Sequence, residues 1–374
     1  MVGTNIRSLR IFIKMKSNRR KFFKSIGLAA AGAVVTGLHS KKSNASDKIK
    51  WKMVTSWPKN FPGLGAGAET LAKYINKLSG GSLTVKVFGA GELVPPLGVF
   101  DFVSSGGAEL GHSGAYYWKG KTEAAQFFSS VPFGMTAQEM NSWLYYGDGL
   151  KLWEKVYEDF DLIPRPAGNT GVQMGGWFNK EINSTEDLNG LKMRIPGLGG
   201  EVLARAGGTP FTLAGSEIFT SLQTGVIDAT EWVGPYNDRA FGLHKAAQYY
   251  YYPGWHEPGP TLECIINRQA YNKLSDQHKS IIDIACKAAN IDMISDYMSK
   301  NYQALEYFKQ EQVKIKKFPK EVLIKLNKIS SEVLVDLSQK NQLSKKVYDS
   351  YTNFLKRVRP WTLISEDGYL SSFE

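Results

Sequence analysis

Apolar and polar positions alternate at Ile49, Trp51 and Met53, which predicts a strand. Leu64, Ala68, Leu71, Ala72, Ile75 and Leu78 then recur at helical spacing and stop at Gly80-Gly81, a helix closed by glycine. Leu83, Val85 and Val87 alternate again as a second strand. Pro95-Pro96 open a short helix through Val103, Gly106-Gly107 close it, and Ala108–Gly111 reads as a third strand. Strand, helix, strand, helix, strand predicts a mostly parallel α/β sheet.

The pattern has an internal echo. Val99–His112 shifted by 119 positions falls on Ile218–Glu231, with Val99 on Ile218, Val103 on Leu222, Gly106 on Gly225 and Glu109 on Asp228. One helix, glycine, strand unit used once in each half predicts two α/β lobes whose strand ends face a shared cleft, the place where open sheets bind ligands. The second half adds a strand at Val172–Phe178, a capped turn at Ser184–Asp187 and the extended run Leu191–Pro196. From Ser275 to about Gln312 the polarity is helical with few breakers, and its apolar stripe drifts through Ile281, Ile282, Ala285, Ala288, Ala289, Met293, Tyr297, Tyr302 and Leu305. Such a helix is longer than one lobe is wide, so it kinks, bridges lobes or reaches a partner. Two basic amphipathic helices follow, at about Lys320–Gln339 and Lys345–Val358.

Charge changes the picture only at one end. The 374 residues carry 46 Lys+Arg against 35 Asp+Glu, a net +11. Ten of those bases and no acid stand in residues 1–45, so the remainder is nearly neutral and a nucleic-acid partner is not expected. That segment joins a basic stretch, an apolar run Ile26–Leu38 too short to span a bilayer, and small residues at Ser43 and Ala45, the parts of an export signal. Asn18-Arg19-Arg20-Lys21-Phe22-Phe23-Lys24 resembles the twin-arginine export motif, an ordinary secretory peptide being the alternative, and Met15 offers a second start. The mature chain is therefore expected in the periplasm. Past the leader, the chain exceeds what one core fills, and residues 46–170 are expected mainly in lobe 1, 171–265 mainly in lobe 2, and 266–374 in a helical region bridging them. Cys264 and Cys286 are expected as two buried thiols.

The obvious chemistries lack their residues. Gly63-x-Gly65-x-x-Ala68 follows the first strand, but Trp57–Pro62 lengthen the turn and no acid stands between Glu69 and Glu92 to hold a ribose. The histidines His112, His244, His256 and His278 form no metal or haem motif, and there is no Gly-x-Ser-x-Gly elbow. What remains is a set of polar residues at strand ends. Arg194, before Pro196, can take a carboxylate through two parallel hydrogen bonds. Gln173, Glu231 and Glu257, the acids each beside an indole at a turn, are oxygen donors that suit Na+ or Ca2+. Surface carboxylates and an interlobe ion pair at Arg194 are the structural alternatives.

At these residues a resemblance becomes specific. Gly89-Ala-Gly-Glu-Leu-Val-Pro-Pro96, Asp187-Leu-Asn-Gly-Leu-Lys-Met-Arg-Ile-Pro-Gly197, Gly225-Val-Ile-Asp-Ala-Thr-Glu-Trp-Val-Gly-Pro235 and Tyr252-Pro-Gly-Trp-His-Glu-Pro-Gly259 resemble the solute-binding proteins of tripartite ATP-independent periplasmic (TRAP) transporters. The nearest branch is that of the 2-oxo acid (pyruvate-type) and lactate binders, and the likeness runs from about residue 49 to 360. It implies a two-lobed periplasmic fold that closes on a short monocarboxylate and delivers it to membrane permease subunits, without catalysis. It also implies that Arg194, with Gln173, Tyr117 and Trp232, holds the substrate. Gln173, Glu231, Trp232 through its carbonyl, and Glu257 then hold the cation, and the long helix is exchanged between the subunits of a homodimer. Thr230 departs from the branch pattern, where Ala is expected. Tyr116, Tyr117, Trp118, Phe178 and Trp232 are the aromatics expected to limit ligand size. The alternative from another class is an exported metal-dependent enzyme acting on a small acid.

Overall fold

The computed structural model describes residues 48–373, so the expected leader at 1–45 lies outside the described residues. The chain opens with β1 (Ile49–Thr55), α1 (Leu64–Leu78), β2 (Leu83–Phe88), α2 (Val99–Ser104) and β3 (Leu110–Ser113). It continues through α3 (Ala137–Tyr146), α4 (Gly149–Tyr157) and β4 (Leu162–Asn169), then β5 (Gly176–Phe178), β6 (Lys192–Arg194), α5 (Gly197–Arg205), β7 (Thr209–Phe211), α6 (Gly215–Gln223) and β8 (Ala229–Thr230). Next come α7 (Pro235–Phe241), β9 (Tyr249–Tyr252), β10 (Thr261–Asn267), α8 (Arg268–Asn272), α9 (Asp276–Gln310), β11 (Lys314–Lys317), α10 (Lys320–Ser338) and α11 (Gln342–Thr362).

Two sheets form, in the orders β2-β1-β3-β10-β4 and β11-β9-β5-β8-β6-β7. The echo in the sequence is an echo in topology. In the first sheet β1 pairs in parallel with β2 and β3; in the second β6 pairs in parallel with β7 and β8. Each third strand then takes an antiparallel neighbour, β10 beside β3 and β5 beside β8. Met53 pairs with Leu110 as Met193 pairs with Ala229, so the shift of 119 holds through the strands. Gly106 and Gly225 both take positive φ, 80° and 73°, at the same point of the two units. The chain crosses between the sheets at 170–175 and again at 253–260.

Two elements differ from the pattern. Val172–Gly175 is not strand: Gly176 has φ 116°, and a Cβ there would lie 2.4 Å from the Thr230 carbonyl, so only the last residues of the run reach the sheet. β4 escaped notice because Pro164 and Pro166 interrupt its apolar run, which the sheet edge tolerates since β4 pairs only with β10.

The long helix α9 begins at Ser275, whose hydroxyl accepts from the His278 N–H, and 35 residues carry it about 52 Å. It bridges the lobes, packing on β4 and α1 of the first and on α7 of the second. Its core face is Ile282, Ala285, Cys286, Ala289, Met293, Tyr297 and Phe308; of two residues expected on the same stripe, Tyr302 is exposed and Leu305 half-buried. Among the described residues, no helix is long and apolar enough to cross a membrane.

Each lobe buries one carboxyl between an indole and a phenol. On β10, Glu263 accepts from Trp118 Nε1 and from the Tyr157 hydroxyl at 2.7 Å. On α7, Asp238 accepts from Trp177 Nε1 at 2.9 Å and the Tyr250 hydroxyl at 2.7 Å. Burial outweighs these hydrogen bonds and pushes both pKa values up to about 7. The folded chain thus keeps two protons that the unfolded chain releases near pH 4. Their stabilising contribution is complete below that pH and lost as pH rises through about 7. Unfolding free energy measured with urea is expected to fall by on the order of 2 kcal/mol per carboxyl between pH 5 and 8, and Glu263→Gln to flatten the dependence.

Candidate functional site

The carboxyl ends of β6 and β8 are adjacent and parallel, so Arg194 and Glu231 emerge side by side, with the Glu231 N–H donating to the Arg194 carbonyl at 3.1 Å. Both side chains are buried, 1% exposed, and Arg194 Nη1 donates to Glu231 Oε1. Arg194 Nε also donates to the Leu213 carbonyl at 3.2 Å, and Nη2 to the Tyr117 hydroxyl at 3.2 Å. Tyr117 sits on the turn after β3, so this last bond joins the two lobes. The guanidinium lies 5.1 Å from the Trp232 ring, a cation–π contact. Burial is the strongest single influence and opposes its charge, but Glu231, Tyr117, Tyr116 and Glu257 together outweigh it and hold the arginine pKa above its ordinary value.

The two interlobe crossings supply the other donors. Gln173 stands on the first and Glu257 on the second, tied by Gln173 N–H to the Glu257 carbonyl (3.2 Å) and Gly254 N–H to the Gln173 carbonyl (2.9 Å). Gln173 Nε2 donates to Thr170 Oγ1 at 3.1 Å, leaving the buried Oε1 without a partner. Trp57, Tyr116, Gln173, Trp232 and Glu257 face one small cavity of about 10 Å³. Glu257 is fully buried, and its pKa is pushed well above the carboxylate range by burial and then by the Glu231 charge, with Arg194 and Gln173 opposing. One guanidinium cannot balance two ionised carboxylates, which is why burial and the Glu231 charge disfavour ionisation of Glu257. Oxygen donors with an orphaned amide oxygen among them fit a hard cation rather than a transition metal.

All four residues expected to hold substrate, Arg194, Gln173, Tyr117 and Trp232, lie here, as do Glu231 and Glu257. Two expected aromatics do not. The Trp118 indole is committed to Glu263, and Phe178 packs on Tyr251 and Phe318 in the core. Three participants were missed. His256 Nε2 lies 3.4 Å from Glu231 Oε2, and donor atoms of Glu231, His256 and Glu257 fall within 4.8 Å of one another. Its place beside Glu257 in the Tyr252–Gly259 motif was the available signal. Trp57 and His112 form a second missed unit: Trp57 Nε1 donates to His112 Nδ1 at 2.8 Å, and His112 Nε2 faces the Ala167 carbonyl at 3.3 Å. Burial lowers the His112 pKa to about 4, against the pull of that carbonyl, so the ring is neutral and anchors the indole that walls the cavity.

The model of bacterial extracellular solute-binding proteins, family 7, matches residues 53–341. The chain belongs to this family. Among solute-binding relatives, the monocarboxylate 2-oxoacid-binding periplasmic protein of Nostoc sp. (strain PCC 7120) is 43% identical over 355 residues, 94% of this chain and 97% of that one. A TRAP periplasmic solute-binding protein from Colwellia psychrerythraea, crystallised with calcium and pyruvate, is 43% identical with a TM-score of 0.85, covering 87% of this chain and 99% of that one. Another from Pseudoalteromonas atlantica T6c, with sodium and pyruvate, is 42% identical with a TM-score of 0.85, covering 87% and 100%. The two-lobed fold of these solute-binding proteins is the fold described above.

A Cβ at Gly254 would lie 2.2 Å from the Gln173 carbonyl oxygen, so only glycine lets the two crossings meet. Gly254→Ala is expected to lower stability by about 1–3 kcal/mol, read by denaturant unfolding.

Proposed function

We propose that the protein is the substrate-binding subunit of a TRAP transporter, taking a short 2-oxo or 2-hydroxy monocarboxylate such as pyruvate, 2-oxobutyrate or lactate together with Na+ or Ca2+, and delivering it to the permease. The observation that carries this reading is the buried Arg194 set against Glu231, with Glu257 and the unpartnered Gln173 oxygen beside it. Arg194 grips the carboxylate through two N–H groups, Tyr117 closes over it from the first lobe, and the Trp232 face backs the guanidinium. Glu231, Glu257, Gln173 Oε1 and the Trp232 carbonyl hold the cation, whose charge attracts the ligand's carboxylate and 2-oxygen. His256 holds Glu231 from behind.

Magnitudes favour this division of labour. Two charge-assisted hydrogen bonds contribute roughly 3–6 kcal/mol, and micromolar affinity needs about 8. The arginine alone falls short for so small a ligand, and the cation makes up the difference. Arg194 and Glu231 are each other's partner in the described arrangement, so both contacts are exchanged when carboxylate and cation enter. Ligand recovered unchanged after long incubation separates binding from the rival reading, a metal-dependent enzyme built on the Glu231, His256 and Glu257 donors. Residues 46–170 serve mainly as lobe 1, 171–265 mainly as lobe 2 and 266–374 as the bridging helical region. The basic leader directs the chain to the periplasm by the twin-arginine route.

Calorimetry with pyruvate, 2-oxobutyrate and lactate is expected to show binding that needs Na+ or Ca2+; absence of heat with all three in either salt would sink the substrate class. Arg194→Lys, which loses the planar fork, is expected to weaken binding by roughly 30-fold or more.

The homodimer through α9, by exchange of that helix between subunits, remains part of the reading, and the outer face of α9 is proposed as part of its seam. Ile284, Ile291 and Met298 recur every seven residues with Leu305 continuing the row and Ala288, Ser295 and Tyr302 between them. Ile284, Ile291, Met298 and Tyr302 are 56%, 58%, 78% and 66% exposed. Such a seam suits a second copy of itself. Light scattering is expected to give a dimer at micromolar concentration and a monomer for the Ile291→Glu, Met298→Glu double variant, with ligand binding retained.

A further inference from the structure

Two thiols that ligand binding does not use meet in the core of the first lobe. Cys264 lies in the middle of β10 and Cys286 in the third turn of α9, both buried in the apolar cluster that joins β1, β2 and β10 to α1 and α9. Strand pairing sets the direction of Cys264. Its partner across the ladder is Arg165 of β4, whose side chain leaves the sheet on the same face. Arg165 Nε donates to Asp283 of α9 at 2.6 Å, and Asp283 precedes Cys286 by three residues, the spacing of neighbours on one helix face. The contact that seats α9 on β4 therefore brings Cys286 toward Cys264, and both thiols lie in the same buried cluster. A surface cavity lined by Tyr145, Arg165, Pro166, Asp283 and Cys286 reaches the second thiol.

We propose that Cys264 and Cys286 are a modification site, joined as a disulfide that staples α9 to β10 in the extracytoplasmic compartment. The oxidant is another disulfide, either a small molecule or an oxidoreductase. Cys286 as thiolate attacks one of its sulfurs, that S–S bond breaks, and one thiolate leaves. Cys264 as thiolate then attacks the Cys286 sulfur of the mixed disulfide and expels the second thiolate. The two protons lost by the cysteines balance the two thiolates released, so two thiols are oxidised and one disulfide is reduced. The order of attack follows from access. Contact with Cys286 and then burial hold the Cys264 thiol well above its ordinary range, whereas Cys286 lines the cavity. The bond closes the short loop through α8 and fixes the bridging helix to the lobe that contributes Trp57 and Tyr117.

The compartment follows from the proposed function, so the test has two arms. Full-length protein is exported, recovered from the periplasmic fraction, quenched in acid and unfolded with N-ethylmaleimide. No adduct is expected before reduction and two after it, with a peptide map linking Cys264 to Cys286. Leaderless protein from the cytoplasm, treated with oxidised glutathione, is expected to lose both labelling sites in the same way and to melt several degrees higher than its reduced form. The Cys264→Ser, Cys286→Ser double variant should show no such shift while binding ligand as the parent does. Two adducts without reduction in both arms, glutathione retained on Cys286 alone, or a bond between chains would overturn the proposal. Calorimetry on the same samples reports the ligand reading separately.

Discussion

The site depends on one buried ion pair. Arg194 and Glu231 are desolvated together at the ends of two adjacent parallel strands, a position whose electrostatic cost is met only if both partners stay paired and hydrogen-bonded. The neighbourhood answers that requirement: the Leu213 carbonyl, the Tyr117 hydroxyl and the Trp232 face take up the rest of the guanidinium, and His256 stands behind the carboxylate. On the proposed reading, an incoming carboxylate and cation replace the pair because they bring the same two charges. A neutral ligand would strand both.

The repeat makes the asymmetry of function plain. By strand register Val54 in the first lobe corresponds to Arg194 in the second, and His112 to Glu231. One frame thus presents an apolar residue and a neutral, fully committed histidine on one side, and a buried charge pair on the other. Lobe 1 supplies walls, through Trp57, Tyr116 and Tyr117; lobe 2 supplies charge.

Between them, the two crossings carry Gln173 and Glu257. Since the backbones of these crossings hydrogen-bond to each other, Gln173 and Glu257 sit where the chain passes between the lobes rather than on either one. The bridging helix α9 packs on both lobes.

Periodicity and glycine positions were enough to read β1, α1, β2, the repeat and α9 to within a few residues, because these elements bury one face and local pattern reports burial. Where proline broke the pattern, as in β4, or where backbone crowding at Gly176 delayed the start of a strand, the sequence misled. Arg194, Glu231 and Glu257 were legible as polar residues out of place among glycine, proline and tryptophan. His256 and the Trp57–His112 unit were not, since a histidine's role is set by what its two nitrogens meet, and those partners lie 25 to 55 residues away. The sequence by itself determined the two-lobed α/β plan and the residue types of the site, through patterns that act over a few turns. Only the tertiary structure decided that the arginine is already paired, that α9 packs on both lobes and that the two cysteines share one buried cluster, because each is a contact between distant segments with no local trace.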